Sequence, residues 1–182
     1  MTYSQQIGAE LRLIHPYDQL ELDHLARARD WVRSGAPLCR IAPPATPALH
    51  LVSYFPVVDG IHVLLGDHIS SGLWLPPGGH VEQGEHPRDT VIRECTEELR
   101  MRAGFLHPQP ILLSIAQTIG ANPHEDVSLW YALRGDATCL PDFDLREYRA
   151  MRWFRFDEVP IDDTDPNLER FLGKLSQVAI AV

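Results

Sequence analysis

The sequence predicts an α/β chain: a mixed sheet held between helices, with a helical extension on its N-terminal side. Three observations carry this. Apolar runs of strand length, at 49–58, 111–118 and 127–134, are bounded by turn residues. A helix-period pattern that opens on Pro87 and runs through Glu98 lies between the first run and the other two. A second amphipathic stretch covers 168–180, and strands interleaved with helices in this order build a layered α/β domain.

The elements follow in order. Asp18, with Glu21 three residues on, resembles a helix start. Leu22, Leu25, Ala28 and Val32 then recur at helical spacing beside Trp31, and Gly35 is the expected stop. Ala42-Pro43-Pro44-Ala45-Thr46-Pro47 reads as an extended connector. Residues 1–47 are therefore expected to form a helical extension with a Pro-rich connector, and residues 48–182 the main domain. The extension is expected to cap the domain or a second subunit, which leaves a homodimer open; a substrate-contacting role is the lesser alternative, since nothing beyond amphipathicity supports it. Leu49 to Val58 reads as one buried strand, Asp59-Gly60 as a hairpin turn, and Ile61 to Leu65 as the returning strand. Gly66 to Gly72 is turn-rich. Further strands are expected at Ile111–Thr118, Val127–Arg134 and Met151–Phe156, with a polar loop from Gly120 to Asp126. Asp157 to Asp165 is acidic and turn-like. The last helix sets Leu168, Phe171, Leu172, Leu175 and Val178 or Ala179 inward, with Gly173 a weak point.

The 182 residues suffice for one domain with a sizeable core and an appendage. A net charge of −9 argues against a nonspecific nucleic-acid binder, which needs a basic footprint. It leaves a nucleotide substrate open, because bound cations invert the local field. Cys39, Cys95 and Cys139 are odd in number and lack zinc-site spacing; Cys95 is expected in the core. The first residues lack the pattern of a signal peptide, and no apolar run reaches membrane-spanning length, so a soluble cytoplasmic protein with no membrane partner is expected.

The helix after Pro87 carries the chemistry. On a 3.6-residue period Glu94, Glu97 and Glu98 share one face, while Val91, Ile92, Cys95 and Leu99 cover another. Like charges three and four apart repel, and the C-terminal half of a helix disfavours anions. Arg93 alone cannot neutralise three carboxylates; hard divalent cations such as Mg²⁺ can. Gly78-Gly79 allows a tight turn and brings backbone carbonyls near the helix.

This run resembles the Nudix box, G-x5-E-x7-R-E-U-x-E-E-x-G-U with U apolar. Gly79, Glu85, Arg93, Glu94, Glu97 and Glu98 occupy its fixed positions, Cys95 and Met101 its apolar slots, and Trp74-Leu75-Pro76-Pro77-Gly78-Gly79 is similar to its lead-in. One position departs: Arg100 stands where the family has the glycine that ends the helix, so Gly104 is expected to end it later. The resemblance implies an α/β/α sandwich over about 49–182 and hydrolysis of a nucleoside diphosphate linked to another moiety, with Mg²⁺ or Mn²⁺. It assigns the Gly78 carbonyl, Glu94, Glu97 and Glu98 to metal, with Glu94 also a candidate base. Arg93 orients its neighbours, Glu85 pairs with Arg93, and Glu82 is a lesser metal candidate.

Family members draw a further acid from a later loop, and Glu147 holds the matching place before Met151-Arg152-Trp153-Phe154. His124 and Asp126 are candidates to face the cleft. Trp130, Tyr131 and Tyr54 can stack a base, though core packing is expected for at least two. The signatures of the coenzyme A, NADH, ADP-ribose and dinucleoside polyphosphate subgroups are not seen. Elimination leaves a small-molecule nucleotide, an ordinary or oxidised nucleoside triphosphate, as the expected substrate. ADP-ribose or nucleotide-sugar cleavage, and a non-catalytic nucleotide sensor, remain the alternatives. RNA cap removal would need a basic surface that this acidic chain lacks.

Overall fold

A computed structural model describes residues 1–42, 46–118 and 123–180, with 179 and 180 described by backbone alone. Pro43 to Ala45 of the expected connector, Gly120 to Asn122 of the expected loop and the side chain of Ala179 lie outside the described residues.

Two sheets form the centre. One has four strands in the order β5-β1-β7-β6: β1 (Leu49–Tyr54), β5 (Gly78–His80), β6 (Leu112–Gln117) and β7 (Glu125–Trp130). The other runs β4-β3-β2-β8, with β9 also on β3: β2 (Val57–Asp59), β3 (His62–His68), β4 (Trp74–Leu75), β8 (Leu133–Arg134) and β9 (Tyr148–Arg155). The pairs β1–β7 and β2–β8 are parallel and the rest antiparallel, so the sheets are mixed as expected.

Two runs read as single strands are each divided. The run 49–58 breaks at Phe55-Pro56 and the run 127–134 at Tyr131-Ala132. The breaks are linked: Tyr131 N–H donates to Tyr54 O (2.9 Å) and Leu133 N–H to Pro56 O (3.0 Å). Pro56 has no N–H to give a ladder, so both strands bend together and pass from one sheet to the other.

Side-chain alternation separates two cores. Leu51, Leu113, Val127 and Leu129 join a cluster with residues of three helices: α1 (Tyr3–Leu13), α2 (Gln19–Arg33) and α3 (Pro87–Leu99). Leu112 and Trp130, on the opposite face, pack with Leu168, Phe171, Leu172 and Leu175 of α4 (Leu168–Ile180), as the last helix was expected to do. Helices therefore cover both faces, in an α/β/α arrangement.

Helix α1 is an addition to the expected elements. Thr2 and Gln5 form a capping box, T-x-x-Q, that starts it. Helix α2 begins as expected on Asp18, whose side chain accepts the Glu21 N–H. The extension packs on its own chain. Strand β6 is the outer edge of its sheet, and two outward amides two residues apart meet α2: Leu113 N–H donates to Glu21 Oε1 (3.0 Å) and Ile115 N–H to His24 Nδ1 (3.2 Å). Glu21 is fully buried and is also held by Lys174 of α4 at 2.8 and 2.9 Å. Arg170 clamps Asp18 at 2.8 and 2.6 Å.

The end of α3 corrects one expectation. Arg100 itself takes the left-handed conformation (φ 51°), and its N–H donates to Cys95 O. Gly104 plays no part in closing the helix. The left-handed turn costs a side-chain-bearing residue about 1–2 kcal/mol, and the cap bond offsets part of this. Cys95 is fully buried, as expected.

Candidate active site

Strand β5 and helix α3 bring the box residues together. His86 caps α3 by accepting the Arg88 N–H, and Pro87 opens it. The hydroxyl of Ser53 donates to Pro87 O (2.9 Å), which seats the start of α3 on the back of β1. Gly79 lies beneath the helix: a Cβ there would come within 2.1 Å of Glu94 Oε1, so any side chain would push the Glu94 carboxylate aside.

Arg93 organises the acids around it. Its Nε and Nη2 donate to the two oxygens of Glu85 (2.9 and 3.0 Å), its Nη1 to Glu94 Oε1 (2.6 Å), and its Nη2 also to His80 O (3.2 Å). The Glu85 carboxylate further accepts from Thr90 Oγ1 (2.7 Å). Burial alone would raise Glu85, and the bonds from Arg93 and Thr90 outweigh it, leaving the carboxyl below its ordinary value. For Glu94 the balance reverses: burial pushes it up and Arg93 recovers only part.

The acidic stripe of α3 divides. Glu94 and Glu98, four residues apart, turn into a cleft of about 930 Å³ that Gly78, Glu82, Tyr54 and Glu147 also line. The Glu97 side chain is 60% exposed and stands 3.6 Å from Arg93, outside that lining. Glu98 is nearly buried and accepts from Tyr148 Oη (2.8 Å) and the Gly78 N–H. Burial pushes its carboxyl up to about 8; Tyr148 opposes the shift, while Glu94 and Glu147 add to it. Glu147, half exposed, reaches the cleft wall with an oxygen 3.8 Å from His68 Nε2. Crowded carboxylates with one guanidinium among them are a hard-oxygen donor set that suits Mg²⁺ or Mn²⁺.

Tyr148 escapes a reading of the sequence, because the strand expected from Met151 in fact begins at Tyr148. Of the three aromatic candidates, Trp130 and Tyr131 are core residues, and Tyr54 alone lines the cleft, tilted against Trp130 at 4.6 Å.

The sheet supplies the opposite part of the cleft. His50 pairs in register with Asp126, and Val52 with His80. Period-two alternation puts His50, Val52, His80, Asp126 and Ser128 on one face, away from α3. His124 joins them, so both sequence candidates, His124 and Asp126, line the cleft. His50 and His80 were missed: His50 sits inside an apolar run, and His80 inside the box as a variable position. Burial keeps His50 and His80 low, His80 at about 3, and pushes the Asp126 carboxyl up to about 6 against the pull of His124.

This pairing of a glycine-backed acidic helix with a curved mixed sheet defines a Nudix-type fold. The NUDIX domain family profile matches residues 52–175, and the chain belongs to that family. Among its relatives is bis(5'-nucleosyl)-tetraphosphatase (asymmetrical) of Sus scrofa, 32% identical over 97 residues, which are 50% of this chain and 62% of that protein. The NAD-capped RNA hydrolase NudC of Pseudomonas syringae pv. tomato is 27% identical over 135 residues, 73% of this chain and 44% of that one. The chain thus spans less than two thirds of these curated relatives. Two solved structures share the fold: a MutT NUDIX hydrolase from Burkholderia pseudomallei (23% identity, 70% of this chain and 98% of that one, TM-score 0.54) and a C. elegans Ap4A hydrolase binary complex (20%, 74% and 97%, 0.52). Among the described residues no helix is long and apolar enough to cross a membrane.

Proposed function

We propose that the chain is a Mg²⁺- or Mn²⁺-dependent hydrolase of a phosphoanhydride bond in a small nucleoside diphosphate derivative, with a nucleoside triphosphate, ordinary or oxidised, as its first candidate substrate. The observation that carries this is the convergence of Glu94, Glu98, Glu147 and Gly78 on one cleft large enough for a nucleotide.

The Gly78 carbonyl, Glu94 and Glu98 would hold the metal, with Glu97 a further ligand candidate outside the cleft lining. When bound, the cation neutralises phosphate charge and makes water more acidic. Glu94 takes the proton from the attacking water, and Arg93 fixes that carboxylate by gripping Oε1. Tyr148 holds Glu98 in place from behind. Glu147 supplies the further acid from the facing wall, and Tyr54 offers a ring to the base. Residues 1–47 act as a structural extension to a hydrolase domain at 48–182.

A dinucleoside polyphosphate is the second reading, favoured by the 32% identity to a bis(5'-nucleosyl)-tetraphosphatase. A panel of nucleoside triphosphates, oxidised triphosphates, dinucleoside polyphosphates, ADP-ribose, nucleotide sugars and capped RNA, with Mg²⁺ or Mn²⁺, separates the readings by the products released. Release of phosphate or pyrophosphate from triphosphates is the expected result. Silence from every substrate with both ions would sink the hydrolase and leave a nucleotide sensor.

A further inference from the structure

We propose that His50, His80, His124 and Asp126 form a second metal site, distinct from the carboxylate cluster, that takes a borderline transition-metal ion of the Zn²⁺ class. Each of the four offers one ligand atom, and those atoms all lie within 4.8 Å of one another. The residues come from three adjoining places: His50 on β1, His80 on the neighbouring β5, and His124 with Asp126 at the start of β7.

The spacing suits a tetrahedral ion. Bonds of about 2.0–2.1 Å to such an ion set its ligands about 3.3–3.4 Å apart. Asp126 Oδ1 already stands 3.3 Å from His124 Nε2 and 3.5 Å from His50 Nε2. Closing the whole set to that spacing asks for ring movements on the order of 1 Å, within side-chain rotation.

The polar bookkeeping points the same way. His50 is fully buried and Asp126 nearly so, yet among the described residues His50 Nε2, His80 Nε2 and Asp126 Oδ1 make no hydrogen bond. Buried polar atoms that make no hydrogen bond are costly, and three that converge on one point are explained together by a cation. The outer atoms are already engaged. His50 Nδ1 donates to Pro47 O (2.8 Å) and His124 Nδ1 lies 3.1 Å from Thr118 Oγ1. For His50 this bond fixes the tautomer so that Nε2 keeps its lone pair for metal, the usual arrangement around ligating histidines. Imidazole donors select against Mg²⁺, which prefers oxygen. The cleft therefore carries a hard site on the helix side and a borderline site on the sheet side.

Co²⁺ reports on the two sites differently. The full chain is dialysed against Co²⁺ with excess Mg²⁺ to fill the oxygen site, and bound metal is measured by elemental analysis alongside the visible spectrum. The expected result is one equivalent of Co²⁺ with the intense bands of tetrahedral nitrogen–oxygen ligation, displaced by Zn²⁺. Affinity should fall roughly tenfold or more in His124→Gln and in Asp126→Asn, and stay as in the unmodified chain in Glu98→Gln. Circular dichroism confirms that each variant is folded. Absence of tetrahedral bands from the unmodified chain would overturn the proposal, as would equal binding by the folded His124→Gln variant. Loss of the bands in Glu98→Gln would also overturn it, by returning the ion to the carboxylates. None of these readouts depends on hydrolysis, so the second site and the proposed activity fail separately.

Discussion

Gly79→Ala tests the geometry of the cleft at one atom. The added methyl would lie 2.1 Å from Glu94 Oε1, 2.3 Å from its Cδ and 2.8 Å from its Cγ, where side-chain contacts below 3.0 Å essentially never occur. The atoms in the way belong to a flexible side chain, and Gly79 has no positive φ, so the strand can accept alanine. The carboxylate has to retreat by on the order of 1 Å or more, away from the Arg93 grip and from its place in the cleft. Misplacing a reacting group by about 1 Å costs on the order of 10²-fold in rate. Turnover of the best panel substrate should therefore fall about a hundredfold, with a thermal midpoint within a few degrees of the parent. Gly104→Ala is the matched control, because its nearest neighbour, Arg134 Cβ, is 3.8 Å away. Near-parental turnover in folded Gly79→Ala would refute the reasoning, since Glu94 could then work from a displaced position.

Other outcomes follow from the same structure. Glu98→Gln and Glu97→Gln should each remove most activity, at least about a hundredfold for Glu98, without lowering the thermal midpoint; near-normal turnover in either excludes that residue as a metal ligand. Glu147→Gln should slow the reaction by roughly 10²-fold or more if it supplies the further acid, and an unchanged rate returns it to the surface. Lys174→Met leaves Glu21 buried without its cation, at about 3–5 kcal/mol, which for a chain of this size lowers the melting temperature by roughly 6–20 °C in calorimetry. Asp18 is held at about 2 by Arg170, below the ordinary value near 4 of an unfolded aspartate. Its contribution is present above pH ~4 and lost as pH falls toward 2, because the unfolded chain binds the proton first. Asp18→Asn keeps a good helix cap but not the charge, so an acid titration followed by circular dichroism should show a shallower loss in that window; an identical slope would discount the pair.

The box was legible because its chemistry is local. Six fixed positions lie within one strand, one turn and one helix, and like-charged glutamates at helical spacing raise the expectation of a cation before any fold is known. The two-sided layering followed from alternating strands and helices. What stayed hidden depends on register between distant segments. His50 and Asp126 are 76 positions apart in sequence and become partners only when β1 pairs with β7. Glu21 looked like a helix-start carboxylate, and its burial came from an edge strand and a lysine far along the chain. Tyr148 lay just upstream of the strand as read, at a boundary where local propensity is least decisive. Arg100 was a visible departure, but nothing in its neighbourhood said that arginine would take the glycine's own conformation.

The outward amides of Leu113 and Ile115 have a meaning for handling this protein. With α2 seated they are already spoken for. Cut the chain back to the family core alone, and the rim of the sheet becomes a docking rail for any extended peptide, including a second copy of itself. Trimming residues 1–47 should thus produce self-associating material, and a deletion meant to simplify the chain would uncover those two amides.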